Sequence, residues 1–301
     1  MSAWLLLGVL VGWAALHLKT SRPDGTLVKD VHPYRRGMHY IMPTRAESVV
    51  YFDQDVDAEA LLAYLAEARP AFGANVSHAL VGAFATALAE NPRMNRFVVG
   101  RRVYQRNDLL LTFSMKRDLG DSRSKLATLK HRVAPGMTFP ALVASINARV
   151  GENRTDAVTD EDKELNLFAR LPRPLMRFAV GLVRTLDYYN LLPAFFIRGE
   201  ALYTSMFLAN LGSLGMGAGY HHLFEFGTCP AFVMAGEVVE KAVVRDGQVV
   251  VRPILPLRFT YDERIDDGMT ARGGIRTAVK VLEDPATWLG GVGEQAARPL
   301  L

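Results

Sequence analysis

Apolar and polar positions alternate strictly near the C-terminal end of the chain. Leu257, Phe259 and Tyr261 share one parity, and Arg258, Thr260 and Asp262 share the other. A period of two predicts a strand with one apolar face. That strand runs into TYDERIDDG (Thr260–Gly268), where five charged side chains crowd nine positions. A strand end so dense in acids and bases is a candidate functional site.

The pattern upstream shifts between strand and helix periods. ESVVYFDQDVDAEALLAYLAEA predicts a strand over Ser48–Asp53 followed by a helix, with Asp57 as its N-cap and Leu61, Leu62 and Leu65 on its apolar face. NVSHALVGAFATALAENPRMN predicts a second helix, with Leu80, Phe84 and Leu88 four apart. It stops at Asn91-Pro92, because proline restricts the residue before it and donates no hydrogen bond. RVYQRNDLLLTFSMKR reads as strand, turn and strand, and Val233–Asp262 as a hairpin whose turn is Asp246-Gly247. Met269–Leu282 closes the pattern as a helix. Such mixing predicts an α/β or α+β sandwich, a sheet flanked by helices.

Two segments depart from that pattern. SAWLLLGVLVGWAALHL (Ser2–Leu18) is almost wholly apolar, with Lys19, Arg22, Lys29, Arg35 and Arg36 following it. No basic residue precedes it, unlike a cleaved signal peptide. It is short for a membrane span, and the alternative is a buried core helix. The trailing basic residues would hold the bulk of the chain in the cytoplasm. The second segment lies within 151–199. Its first half, GENRTDAVTDEDKEL, is polar; its second half places Arg173, Arg177 and Arg184 on one helical face opposite apolar residues. A basic amphipathic helix suits either a membrane interface or the cover of a sheet. The expected organisation is therefore a hydrophobic membrane anchor at 1–18, a linker at 19–34, a main domain at 35–290 with an amphipathic insertion at 151–199, and a flexible tail at 291–301.

Composition narrows the chemistry. Half of the 301 residues are hydrophobic and 22% are charged, so the chain carries enough apolar surface for a sizeable core. The formal net charge of +4 is mild, and no basic block interleaves with aromatics, which gives nucleic acid no footprint. Cys229 is the one cysteine, which excludes an internal disulfide and a Cys-rich zinc site; no metal is expected. YHHLFEFGTCP carries the adjacent His221 and His222, which lack the i, i+4 spacing of a helical zinc pair. The glycines from Gly212 to Gly219 just before them permit close approach of backbone to a ligand.

Taken in order, ALVGAFATALAENPRMN, LANLGSLG, LPLRFTYDERIDDGMTA and LEDPATWL resemble the catalytic domain of 2-oxo acid dehydrogenase acyltransferases, which shares its fold with chloramphenicol acetyltransferase. The resemblance covers Arg35 to about Asp118 and Leu202 to about Leu289. It implies a mixed sheet flanked by helices and a homotrimer with its site between subunits. It also implies an acyl-CoA or other acyl thioester as co-substrate, with no permanently bound cofactor. The family motif Asp-His-Arg-x-x-Asp-Gly is matched by Asp262, Arg264, Asp267 and Gly268, but Glu263 occupies the place of the basic histidine. Ala209 stands where the family has a serine that hydrogen-bonds the oxyanion, and Asn210 is next to it. The substitute base would be Glu263, a carboxylate in an environment that favours its neutral form, or else His221 or His222. Asn210 would supply the oxyanion donor. The expected activity is acyl transfer to a hydroxyl or amine, with a lipophilic acceptor and membrane lipid as a partner if the anchor reading holds. The rival expectation is a catalytically inactive, membrane-tethered scaffold of the same fold.

Overall fold

The computed structural model describes residues 3–116, 126–153, 170–293 and 298–301. Its longest strand is the alternating run that ends in the charged cluster. The larger sheet has the order β2 (Val49–Asp57), β10 (Gln248–Asp262), β8 (Ala231–Ala235), β7 (Met206–Asn210), β5 (Leu109–Lys116) and β6 (Leu126–Val133). β9 (Val239–Arg245) pairs with the outer half of β10. β7 runs parallel to β5 and β8, and the other pairs are antiparallel, so the sheet is mixed.

The alternation in β10 sorts the two faces. Leu257, Phe259 and Tyr261 enter the main core, where Phe84 meets Phe259 with ring centroids 5.8 Å apart. That face is covered by α4 (Glu59–Phe72), α5 (Val76–Glu90), α6 (Phe139–Asn153) and α9 (Gly268–Glu283), whose Leu61, Leu88, Leu142 and Val281 are fully buried there. On the opposite face Phe207 of β7 stacks on Phe232 of β8 at 4.6 Å, and the loop after β7 folds back so that Leu223 and Cys229 join them. Thr260 pairs with Phe232 across β10 and β8, which places the polar parity of β10 beside this second cluster.

Several boundaries differ from the sequence reading, each for a local reason. β2 runs to Asp57, because its partner β10 continues antiparallel as far as Ile254. The cap of α4 is then Ala58, while the Asp57 carboxylate accepts from the Glu59 amide at 3.2 Å. RVYQRNDLLLTFSMKR is indeed two strands, but they do not form one hairpin. β4 (Arg102–Arg106) joins β1 (Gly25–Leu27) and β3 (Arg96–Val99) in a small second sheet, and β5 enters the large one. The stretch read as a linker thus contributes a strand. The Asp246-Gly247 turn lies between β9 and β10 as expected, with φ of 50° and 78°, the left-handed pair that a tight hairpin needs. Val233, however, lies in β8 on the other flank of β10.

α1 (Ala3–Leu18) is not a core helix. Trp4, Val9, Leu10, Val11, Trp13 and Leu18 are all largely exposed, and none of its described side chains is buried. Among the described residues no single helix is long and apolar enough to cross a membrane. The 16 residues of α1 span about 24 Å against about 30 Å of hydrocarbon. Its C-terminal end is fastened to the body: Arg102 donates to the carbonyls of His17 and Lys19, and Asn190 donates to that of Lys19. α2 (Pro33–Ile41) and the single turn α3 (Arg45–Ser48) follow β1 and lead into β2. α7 (Arg173–Tyr188) carries the three arginines on one face as expected, packs Val183 and Leu186 on the body, and leaves Leu175, Phe178 and Leu182 exposed. The short α8 (Ala194–Gly199) leads on to β7, and α10 (Pro285–Leu289) follows α9. The polar half of the insertion lies largely outside the described residues, since 154–169 are not among them.

Candidate active site

The site begins where β10 runs out of partners. Asp262 is its last residue, 1% exposed, and its carboxylate organises the turn that follows. Arg264 closes on it with a two-pronged contact, Nε to Oδ1 at 2.9 Å and Nη2 to Oδ2 at 2.8 Å. The Arg264 amide and the Ser48 hydroxyl also donate to Oδ1, at 3.1 and 2.9 Å. Arg45 Nε lies 3.9 Å from Oδ2, while its other nitrogens donate to the carbonyls of Phe224 and Gly227. Two buried guanidiniums therefore share one buried carboxylate, with hydrogen bonds filling most remaining positions. Asp262→Asn keeps the volume but removes the charge that both arginines face. It is expected to cost about 3–5 kcal/mol in urea unfolding, as breaking a buried pair does. Asp267→Asn should be near-neutral, because asparagine caps a helix as well as aspartate does. Equal effects of the two substitutions would contradict this arrangement.

Asp267 is the N-cap of α9: its Oδ1 accepts from the amides of Met269 and Thr270 at 3.1 and 3.2 Å. Its neighbour Asp266, which sequence reasoning passed over, is 5% exposed and draws in Arg96 at 3.3 Å, Arg35 at 3.7 Å and Arg93 at 3.8 Å. Arg35 also donates to the Glu263 carbonyl at 2.9 Å, and the Glu263 amide donates to the Ser48 carbonyl at 3.0 Å. The backbone of Glu263 is thus held from both sides. Its half-buried carboxylate forms no hydrogen bond or ion pair among the described residues. Arg264, the neighbour that could have neutralised it, is turned inward to Asp262.

The histidines lie elsewhere on the same sheet face. His221 stacks on Phe232 at 4.1 Å and 10°, and on His222 at 4.6 Å. Because Phe232 pairs with Thr260, the imidazole sits on the order of 10 Å from Glu263 along the strand. Neither histidine bonds to Glu263 within the chain. Asn210 ends β7, with its amide nitrogen donating to Ser77 Oγ at 3.0 Å and its amide oxygen accepting from Ser213 at 3.3 Å, so it caps the short turn that follows. Ala209 is buried against Phe207 and Phe232, with no hydroxyl to offer. The glycines after it serve the fold at one identifiable point: a Cβ on Gly212 would meet the Gly236 carbonyl oxygen at 2.5 Å, so the close approach is between two backbone segments. Among the described residues no group of three or more His, Cys, Asp or Glu is placed to hold a metal ion.

Sequence reasoning also missed Ser48, Arg45, Arg35 and His39, whose Nε2 donates to the Arg264 carbonyl at 3.0 Å. They lie more than 200 residues before the motif, and no local pattern links them to it.

Comparison with known proteins bears on the same strand end. Residues 204–290 match the family model for the 2-oxoacid dehydrogenases acyltransferase (catalytic domain). The dihydrolipoyllysine-residue acetyltransferase component of the pyruvate dehydrogenase complex of Bacillus subtilis is 40% identical over 55 residues, 18% of this chain and 12% of that protein. The chain thus matches only about an eighth of that relative's length. Among solved structures, a probable dihydrolipoamide acetyltransferase from Listeria monocytogenes superposes with a TM-score of 0.56 at 14% identity, covering 93% of this chain and 98% of the other. A chloramphenicol acetyltransferase superposes at 0.52 and 12% identity, covering 86% and 99%. The likeness to these structures is one of fold.

Proposed function

We propose that this chain, whose fold is that of the 2-oxoacid dehydrogenase acyltransferase catalytic domains and of chloramphenicol acetyltransferase, transfers an acyl group from a thioester such as acyl-CoA to a hydroxyl or amine. The observation that supports this most is the Glu263 carboxylate: it stands at the motif's base position, backbone clamped, with no cation among the described residues to neutralise it. The base takes the acceptor's proton, and the acceptor oxygen or nitrogen attacks the thioester carbonyl carbon. The tetrahedral intermediate then expels the thiolate, which recovers the proton from the base. As in the family it resembles, the site is completed between subunits of a homotrimer. A neighbouring copy would then bring its own groups, including a histidine, to Glu263. Incubation with acetyl-CoA and a panel of small alcohols and amines tests the reading by release of free CoA thiol. Release that depends on both donor and acceptor supports it; none with any acceptor sinks it. A monomer at micromolar concentration in mild detergent would also count against it, since closed symmetry is expected of such an oligomer.

A second reading has its own support. The buried Ala209 cannot hydrogen-bond an oxyanion, which favours a scaffold that keeps the fold without the reaction.

We further propose that α1 associates with a membrane and that the acceptor is lipophilic, on the strength of its exposed apolar surface beside the exposed stripe of α7. Deleting Met1–Leu18 leaves the Lys19 carbonyl for Arg102 and Asn190, so the truncated chain is expected to fold and to leave the membrane fraction. A folded truncation that still sediments would move the membrane contact to α7.

A further inference from the structure

Behind the strand-end cluster lies a cavity of about 290 Å³, walled by His39, Arg45, Arg101, Arg184 and Arg264. The acids that face it are Glu225 and Asp187, with Asp262 behind. Asp187 is already held by Arg22 at 3.1 Å, and a Glu225 oxygen accepts from the Ala46 amide at 3.0 Å. Four guanidiniums against three carboxylates, one of them neutralised from outside, leave the cavity net positive. Arg101 and Arg184 form no ion pair among the described residues.

One buried polar atom on its wall lacks a partner. The His39 side chain is 1% exposed and its Nδ1 has no hydrogen-bond partner, whereas the Nε of Arg45, also without a hydrogen bond, faces the Asp262 carboxylate at 3.9 Å. Burying an unpaired polar group is costly, and native interiors rarely leave one without a partner or bound species. Arg101 holds φ of 61° at the turn between β3 and β4, a region that non-glycine residues enter at a cost, and its guanidinium is braced over the Tyr40 ring at 4.6 Å.

We infer that this cavity is a binding site for a phosphate group, carried by a soluble molecule or by a lipid headgroup. Arg264 and Arg45 are engaged by Asp262, which leaves Arg101 from the β3–β4 turn and Arg184 from α7 to share one anion; a carboxylate is satisfied by a single guanidinium fork, whereas a tetrahedral phosphate offers acceptor oxygens to both. The volume admits a phosphate and a short substituent. Its rim, Arg184 and Tyr188, belongs to α7, and the neighbouring Tyr189 meets His17 of α1 at 5.2 Å. The cavity therefore opens beside the two helices with exposed apolar surface, where either source can reach it. This inference does not rest on acyl transfer.

The test is calorimetric titration of the full chain, in neutral detergent, with inorganic phosphate. Saturable binding is expected. Arg101→Gln and Arg184→Gln should each weaken it about ten-fold or more, by loss of a charge-assisted hydrogen bond. Arg184→Lys should recover part of the loss, and Arg173→Gln, on the same helix but outside the cavity, should bind as the parent does. If the glutamine variants fail to fold, protection of Arg101 and Arg184 from phenylglyoxal by phosphate, read by mass spectrometry, decides the point. Competition by phosphatidylcholine vesicles that contain phosphatidic acid, but not by phosphatidylcholine alone, assigns a lipid source; no competition by either assigns a soluble one. The inference is overturned if phosphate does not bind saturably, or if Arg173→Gln weakens it as much as Arg184→Gln. Because no thioester is present, these outcomes are separate from those of the transfer assay.

Discussion

Glu263→Gln is expected to lower acyl transfer by about 10²–10⁴-fold while leaving the melting temperature unchanged, the usual loss when a general base is removed. The substitution preserves size and removes the proton acceptor. The clamp on Glu263 is made by its backbone amide and carbonyl, which glutamine retains. His221→Asn and His222→Asn test the imidazoles in the same assay. Within one chain His221 is stacked on Phe232 and does not reach Glu263, so a histidine base would have to come from a neighbouring subunit. It would reveal itself by the failure of one histidine variant. Three variants indistinguishable from an active parent would dismiss all three residues as the base.

The second large effect concerns stability in acid. His78 sits in the first turn of α5, 4% exposed, where its Nδ1 accepts from the Asn75 amide. His131 sits in β6, 3% exposed, with neither ring nitrogen hydrogen-bonded. Burial pushes both imidazoles down to about 4, with Arg149 adding repulsion at His131. The folded state therefore binds fewer protons than the unfolded chain between pH 6.5 and about 4, so stability rises with pH across that window. The contribution is complete above about pH 6.5 and is lost as the pH falls towards 4, at about 3 kcal/mol for each histidine. Urea unfolding at pH 7.5 and 4 measures the total slope, to which carboxylates also contribute. His131→Leu isolates one imidazole: it should be more stable than the parent in acid, with the slope reduced by about 3 kcal/mol. An unchanged slope would refute the buried neutral state.

Local pattern made much of this molecule legible. The parity of Leu257, Phe259 and Tyr261 placed those residues on the core face, because a strand alternates its side chains whatever lies beside it. The helix ending at Asn91 and the turn at Asp246-Gly247 followed from the fixed dihedral demands of proline and glycine. The motif from Asp262 to Gly268 was visible as a cluster, and the position of Glu263 within it came from resemblance to a family.

What each charge does there was not legible. Whether Arg264 neutralises Glu263 or turns away depends on Ser48, Arg45 and the carbonyls of Met42 and Pro43, which only folding brings to Asp262. The division of Arg102–Lys116 between two sheets was equally hidden, since period-two alternation states that a strand exists and not which strand pairs with it. Sequence by itself determined the strand that ends at Asp262, the helices α4, α5 and α9 and the Asp246-Gly247 turn, because their signals are encoded by neighbours along the chain. Tertiary structure alone decided which carboxylate is free, which guanidiniums are spent and which line a cavity, because those outcomes are set by charges and hydrogen-bonding groups that meet only across hundreds of residues.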